Sequence, residues 1–140
     1  MAFRPYLAFA GNCRDAFTRY QEIFGGELVL LTLADTAADA GPVPDGVNPD
    51  LIMHAALMTA DALLMGGDDP SGNFNGSVSG MCLNAWLPDV DEAKRVFESL
   101  AEGGSVQQPM GNTFYSPAFG MCTDRFGTPW MVMVDGPPRN

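Results

Sequence analysis

A chain of 140 residues with 46% apolar side chains is long enough for one domain with a substantial core. Seven Lys and Arg against 17 Asp and Glu give a net charge of −10, which excludes the basic surface needed to hold phosphate backbones and disfavours an anionic membrane surface. No run approaches the roughly 18 apolar residues of a membrane span, the N-terminal "MAFRPYLAFAGNCRDA" lacks a signal-peptide pattern, and a cytoplasmic protein is expected.

In chain order, the first expected element is a strand over Phe3–Phe9. A helix follows, opened by Asn12 as its N-cap and carrying Asp15 where the helix dipole favours an acid. Ala16, Phe17, Tyr20, Ile23 and Phe24 recur at helical spacing, and Gly25-Gly26 stops the run. Strands are expected over Leu28–Ala34, Leu51–Met58 and Ala62–Gly66, with Asp35–Asp50, rich in Pro, Gly, Ala and Asp, as a long surface loop between the first two. The turn-rich stretch Gly66–Gly80 is the natural module boundary.

Beyond it the pattern repeats. A strand over Met81–Leu87 leads to a helix capped by Asp89, with Val90, Ala93, Phe97, Leu100 and Ala101 on its apolar side and Gly103-Gly104 after it. Strands over Ser105–Met110, Ala118–Thr123 and Trp130–Val134 follow, and the tail "GPPRN" is expected to fray. Residues 8–28 laid on 85–105 at an offset of 77 align Asn12 with Asp89, Ala16 with Ala93, Tyr20 with Phe97 and Gly26 with Gly103. The fold class is therefore α+β: a duplicated βαβββ module, about 1–70 and about 78–136, in a single domain. Each module is too small to bury its apolar face alone, so the mixed sheets are expected to pack or share a cupped surface.

This duplicated unit resembles the vicinal oxygen chelate superfamily of glyoxalases, bleomycin-resistance proteins and extradiol dioxygenases, and within it the PhnB-like branch. The resemblance rests on "PYLAFAGNCRDAFTRYQEIFGGEL", "MHAALMTADALLMGGD" and "FGMCTDRFGTPWMVMV", and spans nearly the whole chain. It implies a homodimer and one divalent metal held by His, Gln or Glu from four strands, which would stabilise an enolate-like charge. Carried onto this chain, the four ligand positions fall on Pro5, Leu64, Cys82 and Met131. Two of these cannot bind metal and two are soft donors, so no cofactor is expected and a divalent metal is disfavoured. The demethylubiquinone methyltransferase label common in the branch finds no glycine-rich loop in a parallel α/β sheet to support it.

Few polar groups remain for chemistry. His54 is the only histidine and a weak candidate for a general base. Cys82 lacks an adjacent base or cation in sequence. No CxxC pair exists, so Cys13, Cys82 and Cys122 are expected to be reduced and mostly buried. Arg125, in the turn "TDRFG", is a candidate anion anchor. Trp86, Phe114, Tyr115, Trp130 and Met131, in a chain with nine methionines, suggest an apolar pocket. The expectation is a metal-independent protein that binds a small apolar or aromatic molecule through His54, Cys82, Trp86, Phe114, Tyr115, Arg125, Trp130 and Met131. The alternatives are a metal-dependent enzyme of glyoxalase or dioxygenase type, a metal-free enzyme using His54 as base, and a regulatory dimer.

Overall fold

The computed structural model describes residues 1–136. The chain divides into two compact units, Met1–Gly76 and the chain from Ser77 onward. In the first, β1 (Tyr6–Phe9) leads to α1 (Cys13–Phe24), β2 (Glu27–Thr32), α2 (Leu33–Ala40), β3 (Ile52–Met58) and β4 (Leu63–Asp68). In the second, β5 (Leu83–Leu87) leads to α3 (Val90–Ala101), β6 (Ser105–Gly111), β7 (Phe119–Thr123) and β8 (Pro129–Val134). Each unit forms one four-stranded mixed sheet, ordered β1-β4-β3-β2 and β5-β8-β7-β6. In each, the first and last strands pair in parallel and the remaining neighbours are antiparallel. The α+β duplicated βαβββ reading is thus the architecture observed.

Each sheet has one face under its helix. In unit 1, α1 buries Cys13, Ala16, Phe17, Tyr20 and Ile23, and Phe17 packs edge-on against both Phe9 and Tyr20. Phe17 lies so close to β4 that a Cβ on Gly66 would sit 2.8 Å from its ring, so the glycine is required for the helix to approach. In unit 2, a Cβ on Gly120 of β7 would likewise sit 2.8 Å from the ring of Phe97 of α3. Val132, Cys122 and Trp130 complete that buried side.

The helix starts differ. Asp89 caps α3 locally, its side chain accepting from Glu92 N at 2.9 Å. Asn12 makes no side-chain cap. Its place is taken by Asp68 at the end of β4, whose Oδ1 accepts from Gly11 N and Cys13 N at 3.1 and 3.0 Å and whose Oδ2 accepts from Ile52 N at 2.8 Å.

Two expectations need correction. The beginning of the expected loop Asp35–Asp50 is helical: Thr32 and Asp35 form a capping box that starts α2, which runs to Ala40. Strand limits also shift. β1 begins at Tyr6 rather than Phe3, and β2 ends at Thr32 because the capping box takes over there. Most of the expected fraying tail lies outside the described residues.

Candidate functional site

The face of each sheet turned away from its helix is open, and registers define its membership. In unit 2, Asn84 pairs with Met131 and Met131 with Met121, giving one cross-strand row. Trp86, Met133 and Phe119 form the next row, and Asn84 Nδ2 donates to Met133 Sδ at 3.4 Å across them. Beyond the other end, Pro129 pairs with Thr123. Here the sheet and the segment before β5 enclose an open depression of about 450 Å³. Its walls include Met81, Cys82, Gln107, Met121, Thr123 and Pro129. Thr123 Oγ1 donates to Gln107 Oε1 at 3.2 Å, and these two supply the polar side chains of an otherwise apolar and sulfur-bearing wall. Such a surface, with few convergent polar groups, is the usual make-up of a small-molecule site.

The expected binding residues distribute unevenly around this face. Cys82 lines the depression and Met131 stands beside Met121 in the ladder. Trp86 lies on the same face and is 58% exposed, offering an indole to anything laid on the sheet. Tyr115 packs edge-on against Phe119 at 5.5 Å and so covers the far end of the face, while Phe114 sits against Tyr115 at 4.7 Å and is 88% exposed.

Trp130 borders the depression but belongs to the helix side. It is 4% exposed, and its Nε1 donates to Asp124 Oδ2 at 2.9 Å. Asp124 also accepts from Phe126 N and Thr128 N at 2.9 and 3.0 Å, so this carboxylate and indole are built into the β7–β8 turn. Arg125 is exposed in that turn, its guanidinium 5.8 Å from the centre of the Phe126 ring.

His54 belongs to unit 1. It lies half-buried on the open face of β3, stacked on Tyr6 with ring centres 5.9 Å apart. Tyr6 Oη donates to Met53 O at 3.4 Å, and burial, followed by the nearby Cys13, raises its pKa. Gly67 makes room for this arrangement, since a Cβ there would stand 3.0 Å from Tyr6 Oη. Val29, Leu31 and Met58 leave the same face apolar and exposed.

Sequence reasoning missed Tyr6, Thr123 and Pro129, whose only signal was position on the face. In unit 1 the carried-over positions Pro5 and Leu64 fall out of step with the open face because of one residue. Three residues join β1 to α1, and two join β5 to α3. The helices align at the offset of 77, but Phe9 therefore corresponds to Leu87, not Trp86, and a one-residue slip in a strand exchanges its faces. Leu64 pairs with Leu57 on the helix side, and Pro5 falls out of step with Tyr6. The open-face pairs on the two parallel ladders are Tyr6–Met65 and Ala8–Gly67 in unit 1 and Asn84–Met131 and Trp86–Met133 in unit 2.

Two four-stranded sheets of equivalent strand order are an arrangement shared with known proteins. The profile of the Glyoxalase/Bleomycin resistance protein/Dioxygenase superfamily matches residues 3–132. The chain belongs to this superfamily. It is 39% identical over 142 residues to Protein YjdN of Escherichia coli (strain K12), covering 96% of this chain and 95% of that one. Among solved structures, protein PA1353 from Pseudomonas aeruginosa is 40% identical with a TM-score of 0.84, covering 96% of this chain and 98% of its own. A PhnB protein from Bacillus cereus, described as a putative 3-demethylubiquinone-9 3-methyltransferase, shares the fold at 21% identity and a TM-score of 0.75, with 96% and 99% covered.

The superfamily's divalent ion does not fit the residues present. Open-face positions of β1, β4, β5 and β8 are Tyr6, Ala8, Leu63, Met65, Gly67, Asn84, Trp86, Pro129, Met131 and Met133, with no Asp, Glu or His among them. Among the described residues no three His, Cys, Asp or Glu side chains gather as a metal-holding group. A hard ion needs several carboxylate or imidazole donors, and these strands offer only the neutral oxygens of Tyr6 and Asn84.

Proposed function

We propose that this superfamily member is a small-molecule-binding protein that works without a hard divalent ion and takes an apolar or aromatic compound on the open face of its second unit. The depression between Met121, Pro129 and Met81, with Thr123 and Gln107 as its polar groups, carries this reading. Trp86, on the same face, would stack on the part of the ligand that extends beyond the depression. A homodimer is part of the proposal, supported by the exposed apolar face formed by Tyr6, Val29, Leu31 and Met58.

Native mass spectrometry of protein purified without chelator tests it. A retained organic mass, unaffected by chelator, supports the binder, and its release should follow Met121→Ala or Trp86→Ala. A stoichiometric divalent ion whose removal abolishes binding would overturn it. A second reading, metal-free proton abstraction by His54, is supported by the imidazole stacked on Tyr6 at the surface of an apolar face. It requires turnover of a bound ligand that His54→Ala abolishes and chelator leaves intact.

A further inference from the structure

Four sulfur-bearing residues, Met81, Cys82, Met121 and Cys122, border the unit 2 depression. Met81 and Cys82 arrive on the segment after Gly80, whose positive φ of 79° turns the chain, and Met121 rises from β7. We propose that this depression is a site for a soft monovalent cation, Cu(I) or its analogue Ag(I), held by Cys82 Sγ and the thioethers of Met81 and Met121.

The donor chemistry selects the ion. Thiolate and thioether sulfur prefer Cu(I), whereas the ions usual for this fold take oxygen and imidazole. Charge selects it again. The wall contains no Asp, Glu, His, Lys or Arg. One thiolate neutralises a monovalent ion, while a divalent one would leave an unmatched charge on an apolar surface. Binding replaces the Cys82 S–H bond with an S–Cu bond and releases the proton to solvent, with copper remaining in its +1 state. Methionine suits the task, because its unbranched side chain can bring sulfur to an ion without moving the sheet. Cys122 borders the same depression but is excluded as a donor. Its side chain lies on the helix side, where burial and the neighbouring Asp124 push its thiol to about 11. The inference stands independently of the organic ligand proposed above, which would compete for the same space.

The test is an anaerobic titration of the full chain against the Cu(I)–bicinchoninate complex, with Ag(I) followed in parallel by native mass spectrometry. One Cu(I) per chain should be withdrawn from the probe, and Cys82→Ser should prevent it. Loss of an outer partner of a metal ligand typically costs 10–100-fold in affinity, so removing a ligand by Met81→Leu or Met121→Leu should weaken binding at least about tenfold. Both conservative variants should keep the parent circular dichroism. Three results would overturn the site: no withdrawal of copper, parental affinity in both methionine variants (a lone thiol at work), or Zn(II) and Mn(II) binding as tightly as Cu(I).

Discussion

The two units are the same module built twice, and they differ most where their helices begin. In unit 2 the cap is the residue next to the helix, Asp89. In unit 1 it is Asp68, which arrives from β4 and also binds Ile52 N of β3. The longer β1–α1 turn contains Gly11 at a φ of 104°, and its N–H is one of the three groups that Asp68 collects. A single extra residue thus replaces a local cap with a long-range one, and it also puts the strand before it out of step with its repeat. Helices aligned in sequence do not guarantee that the strands beside them show the same face.

The largest contrast between the units should lie in their thiols. Cys13 at the start of α1 is fully buried, and desolvation followed by Asp68 pushes its pKa to about 12. Cys82 lines an open depression. A native-state thiol titration should modify Cys82 quickly and leave Cys13 and Cys122 untouched until denaturant is added; rapid modification of Cys13 would contradict the burial described. Because both buried thiols have raised values, their contribution to stability should hold below the ordinary 9.0 and decline as pH rises toward about 12 for Cys13 and about 11 for Cys122.

Among carboxylates, Asp124→Ala should cost most, about 3 kcal/mol, since it strands two backbone donors and the buried Trp130 indole. Asp68→Ala should follow at about 2 kcal/mol, as three backbone donors in a more exposed setting lose their acceptor. Asp89→Ala should cost about 1 kcal/mol, the usual loss for one N-cap. Urea unfolding of the three variants measures the order directly, and an Asp89 variant weaker than the Asp68 one would reverse the comparison. The smallest effect concerns α2, an element without a counterpart among the described residues of unit 2. Asp35 has its pKa lowered by hydrogen bonds from the Thr32 backbone and side chain. Its contribution is therefore present above the ordinary 3.8 and lost as pH falls through the lower folded value, and the Thr32 amide resonance should report that loss.

Much of this fold was legible because its signals are local. The local cap Asp89, the apolar spacings of both helices and the glycine stops fixed α1 and α3 and exposed the duplication, although Asn12 itself makes no side-chain cap. The capping box of α2 was equally local, with Thr32 and Asp35 three residues apart. It was overlooked because the Pro- and Gly-rich stretch after Ala40 dominated the composition of the whole segment. The candidate site was harder. Which side of a strand is open depends on turn length and register, and neither the Tyr6–Met65 nor the Asn84–Met131 pairing has a residue signature. Trp130 borders the depression, but its hydrogen bond to Asp124 had no sign in the sequence, because an aromatic side chain in a strand suits a ligand and a buried carboxylate equally well.

Where a cap comes from also sets when it can act. Asp89 is in place as soon as α3 winds its first turn. Asp68 lies 55 positions along the chain from Cys13, so α1 gains its stop for free N–H groups only after β4 has closed a long loop against β1. The order of assembly is thereby built into the caps: substitutions at Asp89 should slow refolding, whereas those at Asp68 should mainly hasten unfolding.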